Sequence, residues 1–331
     1  MLDMTKQELL KRVGSIDSLC RAEEFTFTSG TARGSRGIRI KCGKLAFTLL
    51  PDRCLDIAYA EVEGVPVSYD SCTGIVSPAY YNEGDFLRNF GAGMLTTCGL
   101  NQIGGDCVDG GKSYGLHGRI GNTPAYDVSV DRHWEGEDYV LTVSGKIKQT
   151  SVFGENLELI RSISVKLFEQ TIAISDRVIN NGFRDEPFMM LYHINFGYPL
   201  LSEDAVLTTN MGTPAPKDDH AAKDLDICHT FTAPQKDFAE QLYFYSSVPS
   251  SWARLTNENL GLFAEVSYCG DNLPYMVEWK QIGEGVYVVG LEPGTNPPEG
   301  RVNARENGRL QMLSPGETKD FSVKITFGTT N

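Results

Sequence analysis

The chain has 331 residues, 41% of them apolar and 22% charged, and its 43 acidic side chains outnumber Lys and Arg by enough to give a net charge of −13. The apolar share is sufficient for a substantial core, whereas an acidic chain without clustered Lys or Arg argues against a nucleic-acid or anionic-membrane partner. No run is long and apolar enough to span a bilayer, and Met1–Glu8 lacks the basic-then-apolar profile of an export signal, so the expected location is cytoplasmic. The eight cysteines include no C-x-x-C pair and no dense spacing, which predicts eight reduced thiols, several of them buried as small hydrophobes.

In chain order, Thr5-Lys6-Gln7-Glu8 forms a capping box, Leu9, Leu10 and Val13 make an apolar stripe, and Gly14 supplies a stop. Together they predict a short helix lying over an edge of the main body. From about residue 23 the periodicity is two. Ile38, Ile40 and Cys42 alternate with Arg39 and Lys41, and Leu45, Phe47 and Leu49 do the same beyond the Gly43-Lys44 turn. Tyr139, Leu141 and Val143, then Ile163, Val165 and Leu167, then Ile172, Ile174 and Val178 continue the pattern. Further strands are expected over 240–247, 252–256, 261–268, 274–281 and 286–292, and a last one near 319–327.

Many strands, turn signals every 8–12 residues or so and no crossover helices predict an all-β fold, a large antiparallel sandwich. Residues 1–331 are expected to form one domain, with 1–22 as a helix and lead-in and about 23–331 as the sandwich. The segment 210–236, rich in Pro, Lys, Asp and Ala, is a long loop suited to walling one side of a cleft.

Candidate chemistry lies in three stretches. In Val288-Val289-Gly290-Leu291-Glu292-Pro293-Gly294 an apolar run ends in a carboxylate just before a Pro/Gly-rich turn, which carries Glu292 to the rim of a sheet. Gly115-Leu116-His117-Gly118-Arg119 sets an imidazole between glycines that let backbone and ligand approach closely. Leu191-Tyr192-His193-Ile194-Asn195-Phe196-Gly197 places His193 at the end of an apolar run. A carboxylate and imidazoles can both accept and return a proton near neutral pH, and each positioned group of this kind contributes about 10²–10⁴-fold to a rate. His133, His220 and His229 sit in polar turns or in the long loop and read as surface histidines. No His-x-x-x-His or similar spacing supports a metal site.

These three motifs, in this order and with the closing Leu313-Ser314-Pro315-Gly316-Glu317, resemble the aldose 1-epimerase (galactose mutarotase-like) superfamily. More narrowly they are similar to its bacterial branch that includes deoxyribose mutarotase-like proteins. The resemblance implies a β-supersandwich and no cofactor. It also implies a free monosaccharide as the small-molecule partner, its α and β anomers interconverted by ring opening and closure. On that basis Glu292 is the base at the anomeric hydroxyl, His193 the acid at the ring oxygen and His117 a hydrogen-bonding partner near that oxygen. Arg88, in Phe86-Leu87-Arg88-Asn89-Phe90, stands where such proteins carry a sugar-binding arginine, although the Arg-Asn order and Pro293-Gly294 depart from the best-known members.

Arg119, Asn195 and Trp279 are further candidates for substrate contact, the last by stacking on a sugar face or else as core. Arg53 and Asp56 are read first as an ion pair under the cleft floor and second as direct sugar contacts. A lyase or hydrolase on the same fold and a non-catalytic carbohydrate-binding protein remain as alternatives. Whether the chain forms a homo-oligomer stays open.

Overall fold

A computed structural model describes residues 4–82 and 84–330. Three antiparallel sheets carry most of the chain. The largest has eight strands, in the order Ala125–Glu135, Asp138–Thr150, Asn156–Lys166, Thr171–Asn180, Thr318–Thr329, Leu262–Cys269, Ser250–Asn257 and Ala205–Thr209. Burial alternates strictly along Asn156–Lys166, so one face of this sheet meets the core and the other meets solvent.

The second sheet runs Ala215–Pro216, Gln241–Ser246, Tyr275–Gly283, Val286–Gly294, Glu186–Gly197 and Gln311–Leu313, with Leu95–Leu100 also paired to Glu186–Gly197. The strand Glu186–Gly197 is buried along almost its whole length, because it is covered on both faces. One face packs Tyr192, Ile194 and Phe196 into the main core, and the other packs Met189 and Leu191 with Leu242, Val277 and Ala304. A five-stranded sheet begins with Cys20–Thr26 and Arg36–Cys42 and continues through Leu45–Leu50, Asp56–Val62 and Val65–Pro66. The N-terminal helix forms over Lys6–Leu10, closed by the Thr5/Glu8 capping box, and buries Leu9.

Two expectations need correction. Cys20 and Cys42 form a disulfide, so two of the eight cysteines are not reduced thiols. The strand register sets them directly opposite each other, a juxtaposition that their separation of 22 residues does not reveal. The ion pair read between Arg53 and Asp56 is replaced by two other arrangements. Arg53 donates to the carbonyls of Val76 and Asn89, each at 2.8 Å, and so fastens the 76–89 loop to the sheet.

Asp56 instead pairs with Arg161, whose Nη1 lies 3.0 Å from Asp56 Oδ1. The Arg161 guanidinium is wholly buried and also forks onto Asp176 at 2.9 and 2.8 Å. Asp176 accepts in turn from the Tyr192 hydroxyl at 2.7 Å, and the Thr97 amide donates to Asp56 at 2.9 Å. A charge of this kind is tolerated in a core only when its donors and acceptors are matched. The network sits beneath the Glu186–Gly197 strand and joins it to the two other large sheets.

Candidate active site

Sheet register, more than any loop, brings the candidate groups together. Ile194 lies opposite Leu291 and Leu191 opposite Gly294, so His193 falls directly across from Glu292. On the far side of Glu292, its cross-strand partner is Val277, and Trp279 lies opposite Gly290. Side chains two apart on a strand share a face, which puts Asn195, His193, Glu292, Val277 and Trp279 on one surface. Gly290 leaves that surface open: a Cβ there would lie 2.5 Å from Glu292 Oε1 and 3.3 Å from the Trp279 Cβ.

His193 Nε2 stands 3.2 Å from Glu292 Oε1, with both side chains almost completely enclosed. His117 arrives from a different direction, on a turn where it and Gly118 both have positive φ. Gly118 is required by close approach, since a Cβ would sit 2.4 Å from the Gly99 carbonyl oxygen. The His117 and His193 rings are 5.8 Å apart between centroids, Phe86 packs on His117 at 5.1 Å, and Phe90 packs on His193 at 5.1 Å. The Gly104 amide donates to His117 Nδ1 at 3.3 Å, so the neutral ring carries its proton on Nε2.

The electrostatics follow from enclosure. Burial lowers His117 to about 4. Burial, helped by the nearby His117, lowers His193 to about 3, while Asn195 opposes the shift by favouring the protonated ring. Burial, and then the charge of Glu240, pushes Glu292 well above the usual carboxylate range. The neutral forms are therefore favoured throughout. Glu292 Oε1 has no hydrogen-bond partner among the described residues, so its 3.2 Å approach to His193 Nε2 is a close contact that a bound ligand can enter.

These groups line a cleft of about 470 Å³, large enough for one monosaccharide. Its walls include Phe86, Leu87, Phe90, Leu116, Leu242 and Trp279, with Tyr69, Ser71 and Thr73 at one side and Lys217 and Glu240 at another. Trp279 donates its indole N–H to Glu240 at 2.8 Å and meets His193 edge-on at 5.2 Å. Lys217 comes from the long 210–236 segment, which does border the cleft.

Several predicted contacts lie elsewhere. Arg88 is outside the lining, 84% exposed and 3.7 Å from Asp85, because the short helix Phe86–Asn89 turns its Phe86 inward instead. Arg119 borders a separate small cavity with Tyr81, Asn101 and Lys112. Asn195 is fully buried, and its amide donates to the Gly93 and His193 carbonyls at 3.1 and 3.0 Å, which suits positioning of the strand and the His193 ring. Arg53 and Asp56 are buried and border a different cavity. Phe86, Phe90, Lys217 and Glu240 went unread, and only the aromatic spacing of Phe86 and Phe90 offered a local signal.

Solved structures share this architecture. A candidate aldose 1-epimerase from Klebsiella pneumoniae subsp. pneumoniae MGH 78578 superimposes with a TM-score of 0.88 at 26% identity, over 92% of this chain and 83% of that one. A galactose mutarotase-like protein from Clostridium acetobutylicum matches with a TM-score of 0.65 at 15% identity, over 95% and 100% of the two chains. A galactose 1-epimerase from Lactobacillus acidophilus NCFM matches with a TM-score of 0.61 at 13% identity, over 94% and 100%. None of the curated proteins gives a significant match. The fold is thus that of the aldose 1-epimerase and galactose mutarotase-like proteins. Within it, the chain belongs to the family described as a domain of unknown function, DUF4432, whose model matches residues 32–327.

Proposed function

We propose that the protein is an aldose 1-epimerase that interconverts the anomers of a free monosaccharide without a cofactor. The observation that supports this best is the direct cross-strand opposition of His193 and Glu292, 3.2 Å apart, with His117 facing them across one cleft. Ring opening needs one group to take the proton of the anomeric hydroxyl and another to protonate the ring oxygen. After rotation about the C1–C2 bond, closure returns both protons. A pair holding one proton in total meets that requirement, since each transfer leaves it ready for the reverse one.

Glu292 serves the anomeric oxygen and His193 the ring oxygen. His117, with its proton on Nε2, donates to the oxygen on which charge develops. Trp279 offers an apolar face to the sugar's C–H groups. The enclosed walls keep water from weakening these interactions. The apolar core runs from Leu9 to Phe327, which supports one domain, and the six cysteines outside the Cys20–Cys42 disulfide are free thiols, which supports a cytoplasmic setting.

Anomeric-proton exchange by NMR, run on a panel of hexoses, pentoses and deoxy sugars, tests the proposal. The wild-type protein should accelerate exchange on at least one sugar, and Glu292→Gln and His193→Asn should each slow it by about 10²–10⁴-fold while circular dichroism stays unchanged. Acceleration of none of them would refute the assignment, and a new product would point to lyase or hydrolase chemistry.

A further inference from the structure

The opposite face of the same sheet carries a second cluster that the proton-transfer chemistry does not use. Glu278 and Trp279 are neighbours on Tyr275–Gly283, so pleating sends Trp279 to the cleft and Glu278 away from it. There the Glu278 carboxylate, the Cys228 thiol and the His229 imidazole offer ligand atoms all within 4.8 Å of one another. The Tyr245 hydroxyl joins them, donating to Glu278 Oε2 at 2.7 Å and lying 2.8 Å from His229 Nε2.

Among the described residues, two polar groups at this place lack partners. Glu278 is fully buried, yet its Oε1 has no hydrogen bond among the described residues. Tyr243, directly opposite Glu278 in the strand register, is also fully buried with an unpartnered hydroxyl. Buried polar atoms are ordinarily satisfied. The Lys280 ammonium donates to the carbonyls of Thr230 and Cys228 at 2.6 and 3.2 Å, and its charge also reaches Glu278 and His229.

We propose that Cys228, His229 and Glu278 bind a divalent transition metal, with Zn²⁺ the best match. One sulfur, one nitrogen and one oxygen form a borderline donor set of the kind zinc accepts in tetrahedral sites. The thiolate and carboxylate offset the ion's two charges, and the Tyr245 hydroxyl or a water completes the shell. Binding at Cys228 releases the thiol proton to solvent.

The role is a staple. Cys228 and His229 belong to the segment between Ala205–Thr209 and Gln241–Ser246 that also sends Lys217 to the cleft, whereas Glu278 belongs to the sheet. The ion therefore fastens the cleft's outer wall to the framework, on the face remote from Glu292 and His193.

The test uses the full-length protein stripped with a chelator and then titrated with Zn²⁺ by calorimetry, and with Co²⁺ by absorption spectroscopy. One equivalent of Zn²⁺ should bind and raise the melting temperature, and Co²⁺ should give a thiolate-to-metal charge-transfer band in the near ultraviolet. Cys228→Ser should lose that band, Glu278→Gln should weaken Zn²⁺ binding by tenfold or more, and Cys269→Ser, away from the cluster, should leave both unchanged. If Glu278→Gln does not fold, His229→Gln, on a half-buried ring, is read in its place. Absence of Zn²⁺ binding in the wild type, or equal binding by the Cys228 and His229 variants, would overturn the proposal.

Discussion

The enclosure of His117 has a consequence that stability measurements can reach. An imidazole lowered from its ordinary 6.5 to about 4 is neutral in the folded protein across a range where the unfolded chain binds a proton. Unfolding then takes up protons, so the stability this group contributes is full above about pH 6.5. It is lost as pH falls toward 4, and it does not change further below that. Going from about pH 7 to about pH 5 should cost roughly 2 kcal/mol, and the full shift of about 2.5 pH units corresponds to roughly 3 kcal/mol.

Other buried carboxyls titrate nearby, so the measurement is a difference of differences. His117→Asn suits it, since asparagine tolerates the left-handed backbone that residue 117 adopts. Urea denaturation of both proteins at the two pH values should show the stability gap shifting by about 2 kcal/mol, with the wild type losing more on acidification. A gap that stays constant within about 0.5 kcal/mol would show that the ring is solvated.

Other expectations concern the framework and the cleft. Glu292→Gln conserves volume and should lower the exchange rate by about 10²–10⁴-fold in the NMR assay, with little change in stability. Asp176→Asn strips Arg161 of its main counter-charge and should cost about 3–5 kcal/mol in urea denaturation. Trp279→Ala removes the cleft's largest apolar face and should raise KM by about tenfold, with a smaller effect on kcat. Arg88→Ala should leave exchange within about twofold of wild type, because the side chain is exposed and outside the cleft lining.

The fold was readable because a sheet with one covered face writes its period into the sequence. Asn156–Lys166 and Leu262–Cys269 alternate as their apolar residues indicate. The N-terminal helix was readable because its capping box is local. The Arg301–Glu306 helix was missed, since its N-cap is a glycine at positive φ with no side-chain signal. Pairings set by register were hidden for a different reason: Cys20 with Cys42, and Arg161 with Asp56 and Asp176, meet only after strands have aligned. For the cleft, motif order marked out His117, His193 and Glu292, which the structure brings to one place. The arginine at 88 was assigned by position in a motif, and the short helix that bears it presents a phenylalanine instead. Glu240 and Lys217 lie in stretches with no periodic or motif signal, so their place at the rim could come only from coordinates.

The spacing of His193 and Glu292 is fixed by adjacent antiparallel strands, whose separation of about 4.8 Å is a property of backbone hydrogen bonding. Much of what a molecule in the cleft would meet farther out, Leu87, Lys217 and Glu240 among it, comes from connecting segments. Descendants of such a chain can exchange or lengthen those segments to suit new ligands while the distance between His193 and Glu292 is inherited unaltered.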